Sequence, residues 1–146
     1  MAQVDDFLAQ MRPRWDTAYR GLCDGEVEPW AAIWSTHEPV SLFGAAGSAS
    51  GPQEVRRIQE WVATQFAGLV DDDVEIVAAG ACGDLAYTVA FEHKTVDTPR
   101  GEPVTYTLRA THVFRREDGE WQVVHRHADR PPQRRDFPVP QVPGTA

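Results

Sequence analysis

The second half of the chain has the pattern of four consecutive β-strands, and this succession restricts the fold more than any other feature. Apolar and β-branched residues dominate four segments, residues 74–81, 85–96, 104–115 and 121–128. Short turns rich in glycine separate these segments, at residues 83–84, 99–101 and 117–119. Because strands joined by short turns pair antiparallel, the sequence predicts an antiparallel meander that ends near residue 129.

Helices precede this meander. Apolar residues recur every three or four positions between residues 7 and 22, where Pro13 either kinks the helix or begins its main part. A short helix is predicted from Pro29, and a longer one over residues 53–67. Residues 40–43 are predicted to form a strand, and the glycine-rich stretch 44–52 a flexible loop. Helices followed by a meander indicate an α+β fold, with the helices packed on one face of the sheet.

Length and composition favour one domain and exclude several classes of partner. The chain has 146 residues, of which 1–129 are predicted to form the domain and 130–146 a proline-rich tail. No apolar run approaches the ~18 residues of a membrane span, and no signal peptide is recognisable, so we expect a cytoplasmic protein without a membrane partner. The net charge of −8 repels phosphate backbones, so we expect no nucleic-acid partner.

The two cysteines, Cys23 and Cys82, are too few and too far apart for a metal or redox motif. No Cys-x-x-Cys spacing exists, and a cytosolic chain keeps such thiols reduced. His125, His127 and Asp129 could form a metal clip on one strand face, but the facing strand offers Arg109 and Thr111, which do not bind a cation. We therefore expect no metal and no cofactor.

The last turn decides which side chains share a face. A three-residue loop at Glu117-Asp118-Gly119 pairs Arg116 with Glu120. A two-residue turn would instead move one whole strand to the opposite face. With the three-residue loop, two sets of residues face opposite ways. One face carries Tyr106, Leu108, Ala110, His112 and Phe114 with Gln122, Val124, Arg126 and Ala128; the other carries Thr107, Arg109, Thr111 and Val113 with Trp121, Val123, His125 and His127.

The first of these faces has the character of a pocket wall, since it is mostly apolar and carries one imidazole and one guanidinium. The preceding strand alternates in a matching way and is predicted to add further side chains to the pocket, and the long helix is predicted to add a charged pair spaced four residues apart. The predicted pocket residues are Tyr87, Phe91, His93, His112, Arg126, Arg56 and Glu60.

The segment from Thr111 to Ala128, Thr-His-Val-Phe-Arg-Arg-Glu-Asp-Gly-Glu-Trp-Gln-Val-Val-His-Arg-His-Ala, resembles the terminal hairpin of SnoaL-like proteins of the nuclear transport factor 2-like superfamily. It is also similar to the calcium/calmodulin-dependent kinase association domain. Residues 34–43, 51–66 and 83–89 fit the same pattern in the same order, so the resemblance spans about residues 15–129.

The resemblance implies a cone-shaped fold with a curved antiparallel sheet, a deep pocket on the concave face and a homodimer formed through the sheet. In the kinase association domain, arginines line the pocket at positions that match Phe91, His112 and Ala128 here. The carboxylate base and opposing acid of the superfamily's steroid isomerases match places near Phe43 and Phe114. Of the three positions that match the arginines, only His112 carries a polar side chain, so a preference for acidic ligands is not expected here. The places that match the isomerase base and acid carry apolar residues, so the isomerase chemistry is not expected either.

Three functions fit these observations. The first is binding of a small, largely apolar molecule with a polar handle. The second is an isomerase, cyclase or hydrolase in which His112 transfers a proton and Arg126 polarises a carbonyl group. For both functions, His112 and Arg126 could instead have a structural role. His112 would then be a hydrogen-bonded histidine in the pocket wall, and Arg126 would pair with a carboxylate such as Glu60. The third is a non-catalytic module for homo-oligomerisation.

Overall fold

The computed structural model describes residues 2–132 and confirms the α+β class. Three helices and six strands follow in the order α1 (Ala2–Cys23), α2 (Val27–Ala31), β1 (Ser41–Gly44), β2 (Gly47–Ser50), α3 (Pro52–Ala63), β3 (Gly68–Cys82), β4 (Leu85–Asp97), β5 (Val104–Glu117) and β6 (Glu120–Asp129). The strands form one open, curved sheet in the order β2-β1-β6-β5-β4-β3. Only β1 and β6 are parallel among these pairings.

The predicted proline-rich tail lies outside the described residues from position 133 onward. Across residues 2–132, no helix is both long and apolar enough to cross a membrane.

Helix α1 packs across the sheet and includes Pro13 in its interior, so the main helix does not begin at this proline. The residues at helical spacing are those the helix buries, among them Phe7, Met11 and Leu22. The ring of Phe7 meets the rings of Phe114 and Trp121 edge to face, at centroid distances of 4.9 and 5.1 Å. This aromatic cluster joins the helix to the last hairpin.

Two segments form β-strand where the sequence predicted none. Residues 47–50 lie within the predicted flexible loop, yet they form β2, whose backbone pairs with β1. Strand β3 begins at Gly68 rather than near residue 74 and includes three consecutive aspartates, residues 71–73. Strand β3 is at the sheet edge, where water reaches its side chains, so charge there does not prevent strand formation.

The turn of the last hairpin has two residues, so the three-residue loop predicted from the sequence is wrong. Glu117 pairs with Glu120, and both Asp118 (φ 51°) and Gly119 (φ 81°) lie in the left-handed region that a type I′ turn needs. A β-bulge between Val113 and Phe114 then shifts the register by one residue. Farther from the turn the two deviations restore the predicted faces, so His112 and Arg126 share a face as the sequence predicted, although His112 pairs with Arg126 rather than with Val124.

Near the turn the deviations do not cancel, and the assigned faces are wrong there. Trp121 and Val123 lie in the core, at 2% and 0% exposure, instead of on the face away from the helices. Val123 pairs with buried Phe114, in the register that the two-residue turn sets, and therefore lies on the helix side of the sheet. Gln122 and Val124, which were predicted to face the pocket, do not line the cavity described below.

Candidate functional site

A cavity of about 460 Å³ lies between helix α3 and the concave face of the sheet. Its wall is formed by the end of α1, by α2 and the residues after it, by the β1–β2 turn, by α3 and by the facing parts of β4, β5 and β6. A volume of this size is in the range of small-molecule sites in proteins, ~300–1,000 Å³. The cavity is therefore the candidate functional site.

Aromatic and aliphatic side chains make most of the wall. Leu42, Ile58, Leu108 and Ala128 contribute aliphatic surface from four different elements. The wall also carries six aromatic residues: Tyr19, Trp30, Trp34, Trp61, Phe66 and Tyr106. Trp61 is 52% exposed, so it is the aromatic side chain of this wall that solvent reaches most readily. Such a lining favours a flat, apolar ligand body.

Two side chains of the wall are buried without a hydrogen-bond partner. Within residues 2–132, neither the indole nitrogen Nε1 of Trp34 nor the amide nitrogen Nε2 of Gln59 has one. Trp34 is 3% exposed and Gln59 is 4% exposed, and both line the cavity. Each nitrogen has less than 1 Å² of accessible surface, so neighbouring side chains shield both from the cavity, and leaving each one unsatisfied costs about 1–3 kcal/mol.

Arg126 reaches the cavity from β6 and carries a buried ion pair on its other side. Its Nη1 donates to Oε2 of Glu92 at 2.8 Å, and its Nη2 donates to Oε1 at 2.9 Å. The two side chains are 12% and 3% exposed. This bidentate pairing fixes the orientation of the guanidinium and neutralises its charge within the fold.

His112 completes this cluster as a hydrogen-bond acceptor. Nη1 of Arg126 lies 2.9 Å from Nε2 of His112. Since an arginine can only donate, Nε2 must accept, and the proton of the neutral imidazole lies on Nδ1. Burial foremost, and then the charge of Arg126, lowers the pKa of His112 to about 3. The ring of Trp15 on α1 meets the imidazole edge to face at 4.4 Å.

The pKa of Glu92, within the ion pair itself, is also lowered, but for a different reason. Burial alone would raise the pKa of Glu92, but the charge and hydrogen bonds of Arg126 outweigh burial and lower this pKa to about 2. Glu92 is therefore ionised and His112 neutral at pH 7. His112 does not line the large cavity; it lines a separate crevice of about 50 Å³ beneath α1.

A second buried ion pair lies beside the first. The Nζ atom of Lys94, whose side chain is fully buried, pairs with Asp72 on β3. The same Nζ lies 3.7 Å from the centroid of the Tyr19 ring, and the Tyr19 hydroxyl lies 3.2 Å from that of Tyr106. Burial foremost raises the pKa of both tyrosines, which therefore stay protonated in the cavity wall. The buried charges of Glu92, Arg126, Lys94 and Asp72 cancel in two pairs.

Three predicted pocket residues lie on the opposite face of the sheet. Tyr87, Phe91 and His93 occupy the outer face of β4, because it is Thr88 and Glu92 that pair with His112 and Leu108. Tyr87 is 44% exposed and lies against Gly80, where a Cβ atom would come within 2.5 Å of its ring. The placement of these three side chains in the pocket is wrong. The inward positions instead include Ala86 and Ala90, whose small side chains suit the close approach of α1.

The charged pair on α3 also lies outside the cavity. Arg56 contacts Glu28 of α2 and lies 3.4 Å from Glu60 through its Nε atom. Glu28 and Glu60 are both exposed, and neither Arg56 nor Glu60 lines the cavity. The prediction that these two residues reach the pocket is wrong, and their contacts are those of a surface salt-bridge cluster. The carboxylate partner of Arg126 is Glu92 rather than Glu60.

The histidines of the predicted metal clip have other contacts. Nδ1 of His125 lies 2.7 Å from the hydroxyl of Ser41, and Asp129 accepts two hydrogen bonds from Arg109 at 2.8 and 2.7 Å. In the part of the chain that the structure describes, no three His, Cys, Asp or Glu side chains are grouped so as to hold a metal ion. The absence of a bound metal or cofactor stays a prediction.

Four residues that shape the site were missed from the sequence, namely Glu92, Lys94, Trp34 and Gln59. The sequence contained a signal for Glu92 and Lys94. Both continue the row of small residues at alternate positions in the middle of a strand, and a charged side chain there is costly unless it has a partner. Trp34 and Gln59 had none. Their significance depends on the absence of partners, which only the packed structure reveals.

A family model for the SnoaL-like domain matches residues 15–131. The chain belongs to the SnoaL-like domain family. The resemblance noted in the sequence is thereby confirmed. A search of curated proteins found no match.

Solved structures of the same fold come from several bacteria. A proposed dehydratase of the nuclear transport factor 2-like family from Streptomyces avermitilis is 21% identical, with a TM-score of 0.73 over 86% of this chain and 97% of that one. A ketosteroid isomerase-like protein from Erwinia carotovora atroseptica is 15% identical, with a TM-score of 0.67 over 86% and 97%.

A proposed calcium/calmodulin-dependent protein kinase type II association domain from Thiobacillus denitrificans is 19% identical, with a TM-score of 0.67 over 82% of this chain and 93% of that one. At such identities these structures establish the nuclear transport factor 2-like fold and leave the activity open.

Proposed function

We propose that this SnoaL-like protein binds a small, largely apolar molecule with a polar handle in the cavity beneath α3. The observation that carries the proposal is the cavity of about 460 Å³, whose wall is mostly aromatic and aliphatic and carries few polar groups. A bound molecule would cover the aromatic side chains of this wall, and Tyr106 and Arg126 supply polar groups for its handle. The volume of about 460 Å³ is in the range of pockets that bind small molecules, ~300–1,000 Å³.

Binding is favoured over proton-transfer catalysis by the chemistry of the wall. Among the described residues that line the cavity, none is an aspartate, a glutamate or a histidine. The tyrosines have raised pKa values, which makes them poor bases near neutrality. The Nε2 lone pair of His112 is engaged by Arg126, and its depressed pKa weakens it as a base. Its catalytic role stays an untested prediction, and we do not propose it.

Filling the cavity should abolish binding. Leu108 lies on β5 and lines the cavity, so Leu108→Trp places a larger ring in the space a ligand would occupy. With the uncharged fluorescent probe N-phenyl-1-naphthylamine, we expect saturable binding to the unaltered protein and at least about a tenfold loss of affinity in this variant. Fluorescence titration measures both.

The matched control is Val77→Trp. Val77 is 58% exposed on β3 and lines neither cavity, so this variant adds the same ring without entering the site. It should bind the probe as the unaltered protein does. Equal affinity of all three proteins would place the probe elsewhere, and absence of saturable binding to the unaltered protein would contradict the proposed function.

We also propose that two copies associate through the outer face of the sheet. Trp121 and Val123, which the sequence placed on this face, lie in the core and do not contribute to it. The outer face nevertheless carries Phe91, Tyr87 and, on β1, Phe43, the last two being 44% and 46% exposed. Apolar surface of this kind is typical of interaction sites.

A charge on this face should disrupt the dimer. Phe91→Asp is expected to lower the mass measured by light scattering at micromolar concentration from two chains to one, because an interface would bury the new carboxylate. Val70→Asp, at a 57% exposed position near the start of β3, should leave the mass unchanged. A monomeric unaltered protein would contradict the proposal.

A further inference from the structure

We infer that a proline-rich segment of this chain's own tail, residues 137–143, binds across the mouth of the large cavity. The surface it occupies is an exposed and mostly apolar rim, and the point where the tail leaves the domain lies on that rim. The binding of the segment does not require a ligand. Its consequence, that the tail restricts the entry of small molecules, rests on the proposed function.

The mouth of the cavity is formed by the lining residues that solvent reaches. Among the described residues that line the cavity, six are exposed, and they come from the β1–β2 turn, the end of α3, the start of β5 and the position after β6. We call them the rim: Ala45, Ala46, Trp61, Gln65, Val104 and Arg130. Trp61 and Val104 are 52% and 44% exposed. Exposed apolar surface of this kind is typical of an interaction site.

The tail leaves the domain at this rim. Arg130 is followed by Pro131 and Pro132, the last two described residues, and then by residues 133–146. Phe137 is seven positions after Arg130. At ~3.1 Å per residue in a polyproline II helix, seven residues reach up to ~22 Å, which is enough to cross the mouth. A segment tethered this closely has a roughly millimolar effective concentration, which favours it over the tail of a second copy or a separate peptide.

The chemistry of the segment suits an apolar, aromatic surface. Residues 137–143, Phe-Pro-Val-Pro-Gln-Val-Pro, carry no charge and include three prolines. Proline fixes its own φ and biases the preceding residue towards extended conformations, so the sequence favours a polyproline II helix. With three residues per turn, Phe137, Pro140 and Pro143 would share one edge. Polyproline II segments bind surfaces lined by aromatic side chains, and Trp61 supplies one at the rim.

A nitroxide on the tail tests the contact directly. Val139→Cys carries the nitroxide in a chain that also has Cys82→Ser, which removes the exposed thiol, while Cys23 is buried. When 5-fluorotryptophan replaces tryptophan, each of the five tryptophans gives one fluorine resonance, and Trp61→Phe identifies that of Trp61. We expect the nitroxide to broaden the Trp61 resonance beyond detection. The resonance of Trp121, at the far end of β6, should stay sharp.

Two variants and a mixture identify the contact and its partner. Phe137→Asp should restore the Trp61 resonance, because a carboxylate would have to leave water at an apolar rim. Thr145→Asp adds the same charge beyond the segment and should keep the resonance broadened. In a mixture of fluorinated chains without nitroxide and nitroxide-bearing chains without fluorine, the Trp61 resonance should stay sharp, because each tail binds its own domain.

The tail should also compete with small molecules for the mouth of the cavity. Phe137→Asp should bind N-phenyl-1-naphthylamine about fivefold more tightly than the unaltered protein does, as expected if the tail covers the mouth in about four-fifths of the molecules. Thr145→Asp should bind the probe as the unaltered protein does. Fluorescence titration measures all three affinities.

The outcomes separate the inference from the proposed function. A sharp Trp61 resonance in the nitroxide-bearing protein, or broadening that Phe137→Asp does not relieve, overturns the inference. Broadening in the mixture shows that the tail binds a second copy and also overturns it. If the contact is present but Phe137→Asp leaves the probe affinity unchanged, the restriction of entry is overturned. If the probe binds none of the proteins, the proposed function is overturned, while the fluorine resonances still decide whether the tail binds the rim.

Discussion

Glu92→Gln should destabilise the protein by about 3–5 kcal/mol, measured by urea unfolding at pH 7.5, which is a large fraction of the stability of a domain of this size. The substitution keeps the shape of the side chain but leaves the guanidinium of Arg126 buried without a counter-charge. A buried ion that loses its partner carries a desolvation cost that nothing offsets. The large effect therefore measures the unpaired arginine rather than the strength of the pair.

Two comparisons distinguish this explanation from a general sensitivity to mutation. Replacing both partners, in Glu92→Leu with Arg126→Met, should cost less than Glu92→Gln alone, because no charge is then left buried. Glu28→Gln, which removes the partner of Arg56 at an exposed position, should leave the free energy of unfolding nearly unchanged. If Glu92→Gln were as mild as Glu28→Gln, water would have to reach Arg126.

Acid should destabilise the protein from about pH 6.5 downward, and His112 should cause a measurable part of the loss. The pKa of His112 is lowered from 6.5 to about 3 in the folded chain. Between these values the unfolded chain binds a proton that the folded chain does not, so stability falls as the pH falls, by up to about 1.4 kcal/mol per pH unit. Below about pH 4.5 the protonation of Glu92 in the unfolded chain adds to the loss, since its folded pKa is about 2.

His112→Gln isolates this contribution, because an amide oxygen can accept the hydrogen bond of Arg126 but does not titrate. The free energy of unfolding, measured in urea at pH 7.5 and pH 5.0, should fall by about 2 kcal/mol more in the unaltered protein than in the variant. His125 also has a pKa lowered chiefly by burial, but it is present in both proteins and cancels. Equal losses would mean that His112 titrates normally in the fold.

The order of elements and the α+β class could be predicted from the sequence because they depend on local chemistry. Hydrophobic period, proline and glycine act over a few residues, and the strands at residues 85–96 and 104–115 were placed almost to their ends. The SnoaL-like family could be recognised for the same reason, since the terminal hairpin is a continuous stretch of chain. That His112 and Arg126 share a face was also predicted, because the shorter turn and the bulge each shift the register by one residue and together restore the predicted face.

The composition of the site was decided by the tertiary structure. Alternation along β4 shows that two faces exist but not which one α1 covers, so Phe91 was placed inward and Glu92 outward, the reverse of what the structure shows. The last turn is only one residue shorter than predicted, yet this difference moves Trp121 and Val123 into the core. Whether Trp34 and Gln59 find a partner depends on elements distant in sequence. A strand has the same period on both faces, and only packing against a helix distinguishes them.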